Sequence, residues 1–123
     1  MFNICKRHIS FEEEVRDLQV NKGYVSSDTY ISILGENCKS KADLFETVNK
    51  SLRFSEVFSF NWDSFNDCVF DFITLAEGNV FVFFSNVDVL LSENNHDRKI
   101  FFEIIEEMSQ NEFPKKVTFS FSE

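Results

Sequence analysis

Val80-Phe81-Val82-Phe83-Phe84 is an unbroken apolar run of five residues, each β-branched or aromatic. A run this short has the length of a strand, and its lack of alternation means that both of its faces are covered. Strands of that kind sit inside parallel sheets, with helices packed on the sheet.

The flanking segments supply such helices and further strands. Tyr30 to Leu34 is β-prone and ends in a turn at Gly35-Glu36-Asn37. Ser40-Lys41-Ala42-Asp43 reads as a helix N-cap with an acid at the third helical position. Leu44, Phe45, Val48 and Leu52 follow at helical spacing. A second helix fits Asp63 to Leu75, with Phe65, Val69, Phe72 and Ile73 on one face. After the apolar strand, Asn94 to Asp97 offers caps for a third helix, whose buried stripe is Ile100, Phe101, Ile104, Ile105 and Met108. Pro114 closes it. The last strand, Val117-Thr118-Phe119-Ser120-Phe121, alternates and is expected to be half-exposed. The order is β-α-α-β-α-β. Strands separated by helices pair in parallel through right-handed crossovers, so the expectation is an α/β fold with a three-stranded parallel sheet packed against helices.

The first 29 residues read differently. Phe11 to Leu18 fits a short helix capped by Ser10, with Glu13 three residues on. Lys22-Gly23 and Ser26-Ser27-Asp28 read as turns. This segment adds a strand or a helix to the domain, or forms an interaction arm. The expected organisation is an N-terminal extension over residues 1–29 and one α/β domain over 30–123.

A chain of 123 residues is one domain's worth and can bury a core without staples. Seventeen Phe supply much of that core's volume and leave some rings for the surface. The odd cysteine count (Cys5, Cys38, Cys68) and the absence of metal-ligand spacing point to reduced thiols and a cytoplasmic location. The N-terminus has no apolar signal region, and no apolar run approaches the roughly 20 residues of a membrane span. A net charge of −9 repels phosphate backbones, which argues against direct nucleic-acid binding.

Catalytic patterns are missing. His8 and His96 read as surface histidines, and no nucleophile elbow, Gly-rich phosphate loop or H-E-x-x-H occurs. Adjacent acids such as Glu12-Glu13-Glu14 and Glu106-Glu107 read as solvated helix faces. No catalytic residue, cofactor or metal ligand is assigned, and the chain reads as a non-enzyme that is a monomer when free.

One pattern stands apart. Asp63, Asp67 and Asp71 recur at i, i+4 and i+8 on the second helix, opposite its apolar face. Like charges at this spacing destabilise a helix by a few tenths of a kcal/mol per pair. Asp63 is partly compensated by the helix dipole, and Asp71 is not. Phe58-Ser59-Phe60-Asn61-Trp62 precedes them. Two readings stand at this point: aromatics in the core with solvated acids, or a binding surface in which aromatics supply area and charges steer a basic partner.

The stretch from Tyr30 to Leu52, followed by "RFSEVFSFNWDSFNDCVFDF", resembles barstar and its relatives, inhibitors of barnase-type ribonucleases. The most specific piece is Asn61-Trp62-Asp63-Ser64-Phe65-Asn66-Asp67-Cys68, supported by the Gly35-Glu36 turn and Asp43-Leu44; the resemblance covers about residues 30–122. It implies a barstar-like fold and a basic ribonuclease or nuclease toxin as partner. It also implies a role for Asp67 as phosphate mimic, with Asp63 making supporting contacts. The partner-binding set is then Phe58, Phe60, Asn61, Asp63, Asp67 and Asp71. The sequence departs from the family in the Val57–Phe60 loop, where Ser59 replaces a flexible Gly and Phe60 an acid. Those departures keep open a second expectation, a barstar-like interaction module with a non-ribonuclease target. Cys68 matches the family's helix cysteine and is expected to be a small buried residue.

Overall fold

The computed structural model describes residues 2–5, 8–54 and 58–123. Four strands, β1 (Phe2–Cys5), β2 (Thr29–Leu34), β3 (Val80–Ser85) and β4 (Val117–Ser122), form one sheet in the order β1-β4-β3-β2. Every pairing is parallel. The helices are α1 (Phe11–Asn21), α2 (Lys41–Leu52), α3 (Trp62–Leu75) and α4 (Asn95–Gln110). The α/β class, the parallel sheet and the β-α-α-β-α-β order from β2 onward match the expectation. The strand count does not: the sheet has four strands rather than three, because Phe2–Cys5 pairs with β4.

Helix starts are set by side-chain caps. Ser10, Ser40, Asn61 and Asn94 each accept the backbone N–H three residues ahead, from Glu13, Asp43, Ser64 and Asp97. Each such bond satisfies one of the amides that a helix leaves free at its start.

The central strand β3 is covered on both faces, as its unbroken apolar run requires. Val80, Val82 and Phe84 point to the main core with Phe65, Phe101, Phe119 and Phe121. Phe81 and Phe83 point the other way, into a second cluster with Leu18 and Tyr24, against which Phe11, Val15 and Tyr30 pack. The N-terminal segment therefore builds a layer of its own on the far side of the sheet.

That layer overturns one expectation. β4 is not half-exposed: Phe119, Ser120, Phe121 and Ser122 are all buried. The alternation is real, but its polar face meets the N-terminal segment instead of water. Ser120 Oγ donates to Glu14 Oε1 (3.1 Å), Ile9 N donates to Ser122 Oγ (2.9 Å), and Thr118 Oγ1 shares a 2.8 Å hydrogen bond with Tyr24 Oη. Buried hydroxyls are tolerated because they are bonded.

Gly35 follows β2 where the chain passes the end of β3. A Cβ at this position would lie well inside contact distance of the carbonyl oxygens of Ser85 and Asn86. Backbone atoms cannot swing aside as a side chain can. Gly35→Ala is expected to lower unfolding stability by about 1–3 kcal/mol, the range for overpacking, read from a denaturant midpoint shift at constant m-value.

Asp28 ties the loop before β2 to the loop before β3. Its carboxylate accepts from Val25 N (2.8 Å), Asn79 N (2.9 Å) and Asn79 Nδ2 (3.1 Å). Burial raises its pKa, but these hydrogen bonds and Lys116 outweigh that and hold it below the ordinary 3.8. A depressed carboxyl contributes stability above its unfolded pKa and loses it as pH falls through the folded one. Asp28→Ala removes these hydrogen bonds, and because solvent screens the carboxylate the expected cost near neutral pH is only about 1 kcal/mol. The gap to wild type should narrow as the pH falls through the folded-state pKa, which lies below 3.8, checked by urea unfolding along a pH series.

Candidate functional site

The acidic line predicted from spacing lies on α3. Phe65, Val69 and Ile73 bury one face of this helix, and Asp63, Asp67 and Asp71 are exposed on the other. The three carboxylates follow each other turn by turn, so they form one ridge along the helix. Among the described residues none of them sits in an ion pair; the ion pair present, Lys50 with Glu46 at 3.2 Å, lies on α2.

Both ends of α3 are fixed by contacts that leave this ridge free. At the start, Asn61 Oδ1 accepts from Ser64 N (2.8 Å), and Ser64 Oγ accepts from Ser59 N (2.9 Å). The Trp62 ring stands edge-on to Phe45 at 4.9 Å and to Phe65 at 5.6 Å, and its Nε1 donates to Asp97 Oδ1 (3.4 Å). At the end, Lys115 Nζ donates to the carbonyls of Ile73 (2.8 Å) and Ala76. A cation on the last carbonyls suits the negative end of the helix.

The residues picked from sequence divide into two roles. Phe58 is buried, packing edge-on against Phe45 (5.4 Å) and Phe54 (5.3 Å), so it supports the loop. Phe60 is 49% exposed and lies against Phe58 at 4.8 Å. Phe60 also adopts a left-handed backbone conformation (φ 51°), which is strained for a bulky side chain. Asn61 is exposed, but its side-chain oxygen is engaged in the helix cap. Val57 lies outside the described residues.

Two surface residues escaped the sequence reading. Phe70 is 42% exposed on the acidic side of α3, with its ring 5.5 Å from that of Phe113. Leu75 is 81% exposed at the helix end. Their signal was available: Phe70 lies seven residues after Asp63, and Leu75 four after Asp71, so both share the face of the acids.

The thiols separate by environment. Burial pushes the Cys38 thiol up to about 11, which leaves it inert. Cys68 is not fully buried as expected; it is half-buried and borders a groove beside α3. Its position between Asp67 and Val69 sets it on the flank between the exposed and buried faces of the helix. Among the described residues no cluster of His, Cys, Asp or Glu is placed to hold a metal ion. Among the same residues no helix is long and apolar enough to cross a membrane.

The molecule is thus an α/β protein with a parallel sheet and an exposed acidic helix face whose carboxylates form no ion pair among the described residues. The family model described as Barstar (barnase inhibitor) matches residues 29–122, and the chain belongs to the barstar family. No curated protein matches the chain.

Proposed function

We propose that this chain is a non-catalytic inhibitor of a basic ribonuclease or nuclease toxin, acting as an immunity protein in the cytoplasm of the cell that makes it. The observation that carries the reading is the ridge of Asp63, Asp67 and Asp71, exposed on α3 and in no ion pair among the described residues. A carboxylate set against guanidinium and ammonium groups imitates a substrate phosphate, and charge-assisted hydrogen bonds of this kind are the strong ones. Asp67, at mid-ridge, is the phosphate mimic, and Asp63 supports it near the start of the helix. Phe60 supplies apolar area beside them, Asn61 and Phe58 hold the loop in place, and Asp71 extends the charge. A net charge of −9 speeds encounter with a cationic enzyme. The three free thiols fit a reducing compartment.

The altered loop favours one further reading, a barstar-like module with another target. Phe60 presents an exposed ring in a left-handed conformation where relatives carry an acid, which changes what the loop can touch. Affinity capture from producer-cell lysate at low salt separates the two. Wild type and Asp63→Ala/Asp67→Ala serve as parallel baits. A basic nuclease held by the first and lost from the second supports inhibition. A non-nuclease held by the wild type supports the other target.

A further inference from the structure

The acidic ridge does not end at Asp71. The next residue in line is Leu75, the most exposed large apolar side chain among the described residues at 81%. Beside it lies a groove of about 360 Å³ between the end of α2 and the second half of α3. Leu52, Phe54, Phe72 and Leu75 give it apolar walls, and Asp71 and Arg53 are its charged lining. Asp71 therefore belongs to both the ridge and the groove.

We propose that this groove receives an apolar side chain of the same basic ribonuclease whose cationic groups meet Asp63 and Asp67; the proposal rests on the inhibitor reading. Size allows it. Asp63 to Leu75 spans about 18 Å along the helix axis at 1.5 Å per residue. A typical interface covers about 800 Å² per partner, a patch roughly 30 Å across, so one partner seated on the ridge also covers the groove. Charge selects the occupant. The approach runs along three exposed carboxylates, so the apolar side chain is carried on a surface rich in Lys or Arg. The groove then adds affinity that salt does not screen, next to carboxylates whose contribution it does.

The test is isothermal titration of a barnase-type ribonuclease into wild type, Leu75→Ser and Asp67→Ala at low and at high salt. Leu75→Ser changes no charge and replaces a side chain that is 81% exposed; an unchanged thermal midpoint checks that it folds. The expected result is about 10-fold weaker binding for Leu75→Ser at both salt concentrations, the size expected for one leucine removed from a buried contact. For Asp67→Ala the loss should be larger and should shrink as salt rises. Wild-type affinity in Leu75→Ser, with Asp67→Ala still impaired, overturns the groove and spares the inhibitor reading. No binding by the wild type overturns both.

Discussion

Deleting residues 1–24 is expected to leave a chain that no longer folds as a soluble monomer. Phe81 and Phe83 are buried on the face of β3 that the N-terminal segment covers. The Phe11 ring lies 6.1 Å from Phe81 and 5.9 Å from Phe83, and Leu18 and Tyr24 are buried beside them. Losing this cover removes two buried side chains, Leu18 and Tyr24, and exposes two buried rings, Phe81 and Phe83, four side chains in all. At about 1.5–3 kcal/mol for each buried side chain, the loss is roughly 6–12 kcal/mol. That is the size of the whole stability of a typical domain, about 5–15 kcal/mol. Polar partners go as well, since Thr118 and Ser120 lose their bonds to Tyr24 and Glu14. Size-exclusion chromatography and dye binding of residues 25–123 should show aggregation and exposed apolar surface. The point variant Leu18→Ala should cost about 2–5 kcal/mol in denaturant unfolding. A truncated chain that unfolds at the full-length midpoint would show that this layer is dispensable.

Asp63→Ala/Asp67→Ala is expected to lose nuclease binding while keeping its fold. The two acids lie one turn apart on an exposed face, so their removal relieves a repulsion of a few tenths of a kcal/mol. Against that, Asp63 gives up a favourable position near the helix start, worth about 0.3–1 kcal/mol. Stability should therefore stay within about 1 kcal/mol of wild type. Binding behaves differently. A hydrogen bond to a charged group contributes about 1.5–3 kcal/mol, and each carboxylate can accept several. Losing both should weaken binding by roughly a thousandfold or more. Separate measurements of unfolding and affinity distinguish this from a variant that merely misfolds.

Much of the fold was legible because its signals are local. The α1, α2 and α4 starts were marked by Ser10, Ser40 and Asn94, and the side chains cap as their positions suggest. The start of α3 at Trp62 was read one residue late, because its cap, Asn61, falls inside an aromatic-rich loop with no periodicity. β1 escaped because four residues carry too short a pattern to read, and only its partner β4 defines it. β4 was misjudged for a related reason. Thr118 and Ser120 look like residues facing water, and the sequence does not say that Tyr24 and Glu14 come to meet them.

The candidate site divides along the same line. The ridge of Asp63, Asp67 and Asp71 follows from helical spacing alone. Which ring of the preceding loop turns inward does not, since loops lack a repeat that assigns faces. Phe58 goes into the core against Phe45 and Phe54, and the left-handed backbone at Phe60 leaves its ring half in solvent. Leu75 enters the sequence reading only as the end of the second helix, although its spacing from Asp71 places it on the exposed face.

The most direct test of the acidic-face account is to titrate the RNA-cleaving activity of a barnase-type ribonuclease with the wild-type chain and with Asp63→Ala/Asp67→Ala. Wild type is expected to abolish cleavage near one-to-one stoichiometry, while the variant at the same concentration leaves it intact. Full activity in the presence of excess wild type, or equal inhibition by both, would contradict it.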